Sequence, residues 1–165
     1  MRVLRFLVLA LGLMLPGAEA EAPKDSLGWS NTRWGMSPND LAKLRPDFTI
    51  GVDKYGSTAG KLPDVTIAGS QFQVSFMFEG VGGLSKAGSS DPESSRDQWR
   101  LVRVELRGPQ DACYRVTEAL LGKYGQPTKQ ESGFNLWVFP TTTVRQVSRT
   151  DCGIIYHPTE NYDNL

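Results

Sequence analysis

Gln71-Phe72-Gln73-Val74-Ser75-Phe76-Met77-Phe78-Glu79 decides the fold. Phe72, Val74, Phe76 and Phe78 fall on one side of an extended chain, and Gln71, Gln73, Ser75 and Glu79 on the other. A period of two marks a strand with one buried face. Upstream, Val65 and Ile67 begin the same alternation. Gly69-Ser70 supplies a tight turn, so 64–68 and 71–79 read as a hairpin. Downstream, Trp99 to Arg107 resumes the pattern. It turns Val102, Val104 and Leu106 inward and Arg103, Glu105 and Arg107 outward, until Gly108-Pro109 stops it.

Two helices frame these strands. Trp34-Gly35-Met36-Ser37-Pro38-Asn39-Asp40-Leu41 reads as a helix start. Ser37 is the N-cap, Pro38 suits the first helical position, and Asp40 complements the macrodipole. Pro46 keeps this helix short, with Leu41 and Leu44 expected inward. Residues 111–124 form the second helix. Cys113, Val116, Leu120 and Tyr124 make its apolar stripe, and Gly125 and Pro127 end it. Three more strands are expected at 134–139, 142–148 and 152–157.

The order is αβββ followed by αβββ. We therefore expect an α+β fold: a single antiparallel sheet of about six strands with two helices on one face. Residues 21–33 read as an irregular lead-in and 34–158 as a single domain. The Gly/Ser-rich 80–98 reads as a mobile loop, the Gly-rich 51–61 as another loop, and 159–165 as a polar tail.

The first twenty residues carry a different signal. Arg2 and Arg5 precede the apolar run Phe6–Leu15, and Ala18-Glu19-Ala20 matches a signal-peptidase site. Ten apolar residues cover about 15 Å as helix, half of a bilayer core. Residues 1–20 are therefore expected to be a cleaved signal peptide, leaving no membrane span and a periplasmic or secreted protein. The chain has 18 Lys+Arg and 18 Asp+Glu. Removing residues 1–20 takes two arginines and one glutamate, leaving 16 basic against 17 acidic side chains. Such a balance does not steer a chain to nucleic acid.

Two cysteines and one histidine are too few for a zinc cluster, and no metal or cofactor is expected. Export places Cys113 and Cys152 where disulfides persist. Both lie on core-facing sides of their elements, so they are expected to staple helix to sheet. No C-x-x-C is present to suggest a redox pair.

The W-G-x-S helix start at Trp34–Ser37 and the Y-G-x-P helix end at Tyr124–Pro127 resemble small exported bacterial proteins of uncharacterised function. That resemblance implies export and no assigned catalytic residues. The layout is also loosely similar to the αβ repeats of secreted β-lactamase-inhibitor-like domains, although this chain lacks the second helix of each such repeat.

Few residues point to chemistry. Gly56-Ser57-Thr58-Ala59-Gly60-Lys61 imitates a phosphate loop, but it is one residue short and Leu62 stands where Ser/Thr would hold magnesium. His157 is the only imidazole and reads as a strand-end surface residue. Glu79, Glu105 and Asp64 lie on strands, with nothing to bring two of them together as a glycosidase pair. Arg103 and Arg107 share one strand face, and Arg145 and Arg149 another. If those strands were neighbours, four guanidiniums would line the open side of the sheet and grip a carboxylate- or phosphate-bearing partner. Trp137 and Phe139 lie in a strand whose two faces both look apolar, which reads as core. Trp99 and Trp137 are kept as partner-facing candidates beside the 80–98 loop. We expect a non-enzymatic, exported protein-interaction domain of the bacterial envelope, of inhibitor, immunity or accessory type, bound to another envelope or secreted protein. The alternatives are a periplasmic small-ligand carrier and a hydrolase whose residues meet only in the folded chain.

Overall fold

The computed structural model describes residues 28–52, 58–80 and 98–159. The proposed signal peptide, most of the lead-in, residues 81–97 of the proposed mobile loop and the end of the tail lie outside them. The described elements are helix α1 (Pro38–Leu44), strands β1 (Thr49–Val52), β2 (Thr58–Ile67), β3 (Ser70–Gly80) and β4 (Trp99–Gly108), helix α2 (Cys113–Tyr124), and strands β5 (Lys129–Glu131), β6 (Phe134–Val138), β7 (Thr142–Ser148) and β8 (Cys152–Pro158). A tight helical turn, Gln110–Ala112, leads into α2.

All eight strands form one antiparallel sheet in the order β1-β2-β3-β4-β8-β7-β6-β5. The strand count is therefore eight, not six, and the repeat is αββββ twice. Each half is a meander that starts at its own sheet edge and ends at the centre. The halves meet where Val104–Gly108 of β4 pairs with Cys152–Tyr156 of β8. The two strands that the sequence hid are the edges, β1 and β5. β2 also begins at Thr58, inside the stretch read as loop, so the last residues of the phosphate-loop imitation are strand.

One face of the sheet carries the core. A single rung across it reads Ile50, Gly60, Phe76, Val104, Tyr156, Val144, Trp137. Gly60 has no side chain because the Phe48 ring occupies that place: a Cβ there would meet Phe48 at 2.0 Å. Phe48 in turn stands edge-on to Phe76 at 5.5 Å. Leu41 of α1 and Val116 of α2 are fully buried in the same core.

Two inward assignments change. Leu44 is 38% exposed, because α1 ends there and the chain turns away at Arg45. In β4 a bulge opposite Met77/Phe78 shifts the register, so Leu101 faces the core in place of Val102.

The Trp34–Ser37 segment has a specific task. Ser37 and Asp40 form a reciprocal capping box that starts α1. Those bonds from Ser37 hold the Asp40 carboxyl below its ordinary pKa. Just ahead, Gly35 N–H donates to the Leu101 carbonyl at 3.0 Å, and Leu101 N–H donates to the Met36 carbonyl at 2.9 Å. Pairing of β4 with β8 reaches only to Val104, so the segment occupies the centre of the sheet beyond the end of β8. Trp34 Nε1 donates to Thr142 Oγ1 of β7 at 2.9 Å, tying the first half to the second.

Cys113 and Cys152 form a disulfide with their Cα atoms 5.1 Å apart, joining the first turn of α2 to the start of β8. Such a bond persists in oxidising compartments such as the periplasm or the extracellular space. A buried polar cluster lies beside it. Gln146 Nε2 donates to Thr117 Oγ1 at 2.7 Å and to the Cys113 carbonyl at 3.2 Å. Asn135 Nδ2 donates to Gln146 Oε1 at 2.9 Å. The amide group of Gln146 is thereby satisfied without water. Among the described residues, no helix is long and apolar enough to cross a membrane.

Candidate functional site

The face of the sheet turned away from the helices carries the alternate residues of every strand. Its central rung runs Thr49, Lys61, Ser75, Glu105, Ile155, Arg145, Leu136, Lys129. Glu105, Ile155 and Arg145 stand side by side on β4, β8 and β7.

β4 and β7 are not neighbours, since β8 lies between them. The four arginines accordingly do not converge. Arg103 Nη2 donates to Glu105 Oε2 at 3.2 Å, and Arg107 Nε donates to Glu105 Oε1 at 2.7 Å. Arg107 Nη1 also reaches Asp151 Oδ2 at 3.1 Å. The field of Glu105, more than that of Asp151, raises the pKa of Arg107 above its ordinary value. Arg145 takes another partner: its guanidinium lies over the Phe134 ring, 4.9 Å from the centroid. Arg149 sits in the turn between β7 and β8, where its carbonyl accepts from Gln110 Nε2 at 2.7 Å. Three of the four arginines thus share the face, and the fourth lies at its end.

The tryptophans turn the other way. Trp137 is buried, and its Nε1 donates to the Gly125 carbonyl at 2.9 Å just past the end of α2. Trp99 is half-buried against the core at the start of β4. The carboxylates stay apart: Glu105 stands opposite Ser75, four residues along β3 from Glu79, and Asp64 lies in the β2 bulge. Among the described residues, no three His, Cys, Asp or Glu side chains are grouped to hold a metal ion.

His157, expected as a strand-end surface residue, is instead buried on this face between β7 and β4. It pairs with Thr143 of β7, two residues along β8 from Ile155, and is only 6% exposed. Its Nδ1 lies 2.9 Å from the Pro158 carbonyl, which assigns the proton to Nδ1. Burial first, then the charges of Arg103 and Arg145, lower its pKa below 6.5; the Pro158 carbonyl opposes them. Alternation alone could have placed His157 on the arginine side of β8, but the flanking strands could not be known.

This gives an expected pH response. The unfolded chain takes up the proton near pH 6.5 and the folded chain at a lower pH, so stability is greatest above pH 6.5 and falls on acidification. His157→Gln is expected to flatten the fall in unfolding temperature that precedes carboxylate titration. Identical pH profiles for the two chains would contradict this.

The rest of the face mixes polar and apolar groups. Met77, Phe134, Val147 and Ile155 are half-buried, Val138 is 39% exposed, and Lys61, Arg107, Arg145 and Lys129 are exposed around them. No protein-family model, curated protein or solved structure matches the chain.

Proposed function

We propose that this chain is an exported, non-enzymatic protein-interaction domain of the bacterial envelope, of inhibitor, immunity or accessory type. Its docking surface is the sheet face turned away from the helices. The observation that supports this reading is the central rung of that face. It sets Ile155 between an arginine-clamped Glu105 and an Arg145 stacked on Phe134. An apolar centre with ordered charges around it suits a protein partner: the apolar part is desolvated on docking, and the charges set orientation and encounter rate. Arg145 is prepared for such a role because its ring contact already restricts a long side chain. The disulfide and the Arg2–Ala20 leader pattern support the exported setting.

The test is capture from a periplasmic extract on the immobilised protein, with a paired variant. A protein retained by the unaltered chain is expected to fall about tenfold in yield or more when Ile155→Asp and Arg145→Glu are combined. It is expected to remain when the 75%-exposed Tyr114 on α2 is changed to Asp. Equal retention by all three chains would remove the sheet face from the reading. N-terminal sequencing of the exported product checks cleavage after Ala20 separately.

A further inference from the structure

The helix side of the sheet carries an opening among the described residues. Between α2 and the end of β2 lies a cleft of about 340 Å³. Trp29 and Ile67 form one wall, Leu120 and Lys123 the other, and Ile154 and Tyr156 the floor. Arg115 of α2 donates from Nε to the Ala68 carbonyl at 3.1 Å and from Nη2 to Ser70 Oγ at 2.7 Å. Those two bonds hold the helix to the β2–β3 turn.

Among the described residues the lining has one sign of charge: Lys123 is charged and no carboxylate lines the cleft. The ammonium of Lys123 lies 4.8 Å from the centroid of the Tyr124 ring and has no ion pair among the described residues. We propose that this cleft binds a small apolar monocarboxylate. The hydrocarbon body lies against Trp29, Ile67 and Leu120, and the carboxylate meets Lys123 Nζ at the rim.

The volume sits at the low end of the 300–1,000 Å³ typical of ligand sites, which suits one small molecule and not a peptide. A lone lysine supplies a point charge, without the forked donors or multiple cations that hold phosphate groups. A cationic ligand would face Lys123 with nothing to neutralise it. The site lies on the opposite side of the sheet from the proposed docking face, so either can fail without the other.

Calorimetric titration of the full chain with phenylbutyrate and with phenylbutanol tests this. The acid is expected to bind saturably at one site, with the alcohol roughly fivefold weaker, the upper worth of an exposed ion pair. Lys123→Met is expected to bring the two ligands to equal affinity. Ala119→Leu, at an exposed helix position lining the cleft, is expected to abolish binding of both while leaving the unfolding temperature near that of the unaltered chain. Absence of saturable binding, equal affinity of acid and alcohol for the unaltered chain, or binding untouched by Ala119→Leu would overturn the proposal.

Discussion

Serine at both Cys113 and Cys152 is expected to lower the unfolding free energy by about 4 kcal/mol, the chain-entropy value for closing a loop of this length. The bond joins residues 39 apart in sequence, and everything between them belongs to the second half of the sheet. Without it the unfolded chain regains that freedom, while the folded state keeps the Gln146–Thr117 bond beside the lost sulfurs. For a domain of this size such a loss is a large share of total stability. Urea midpoints of the paired variant and the parent, at equal m-value, give the measurement. A loss under about 1 kcal/mol would mean that the staple constrains little. Denatured, unreduced protein is expected to show no titratable thiol, and two thiols would refute the bond itself.

The second large effect belongs to Trp137. Truncating it to alanine is expected to cost about 3–5 kcal/mol, the range for emptying a buried aromatic site. The side chain is 1% exposed, its ring centroid lies 6.3 Å from that of Tyr124, and its indole N–H caps the carbonyl of Gly125. Gly125 has φ +74°, the left-handed region that ends α2, so the bond fixes the helix terminus onto β6. Trp137→Phe keeps most of the volume and is expected to cost less, about 1–2 kcal/mol, chiefly for the carbonyl left unpaired. Thermal unfolding of the two variants against Tyr114→Ala separates the cases. If Trp137→Ala falls as little as the exposed Tyr114→Ala, the ring is not a core residue.

How the sequence announced this fold can be judged strand by strand. Phe72, Val74, Phe76 and Phe78 were readable because eleven residues of β3 give the two-residue period room to repeat. Ser37 and Asp40 were readable because capping is local chemistry. β1 has four residues including Gly51, and β5 is Lys-Gln-Glu, all exposed. Neither is long or apolar enough to show a period, which is also how short charged edges avoid pairing with other chains. The bulge that exchanges Val102 for Leu101 is set by pairing with β3 and leaves no trace in β4 alone.

The candidate site was legible by face but not by neighbourhood. Alternation put Arg103, Glu105 and Arg107 on one side of β4, as the structure has them. It also put Arg145 outward on β7, but no local signal could say that β8 intervenes or that Ile155 and His157 lie between the arginines. Strand order is a long-range property, fixed here by the Gly108–Cys152 end of the seam and by the disulfide. Trp137 was ambiguous because its strand looks apolar on both sides. The partner that settles its direction, the backbone at the end of α2, is twelve residues away.

Among the described strands, β8 comes last in sequence and lies at the centre of the sheet beside β4. A polypeptide emerging from its amino end holds β4 with one side bare from Val104 to Gly108 until residues 152–156 arrive to cover it. The outer strands of the second half hang on β7, and β7 pairs inward only with β8. Assembly of these eight strands therefore finishes at the middle of the sheet. Until those residues arrive the two half-sheets present open inner edges, where pairing with another chain competes with closure.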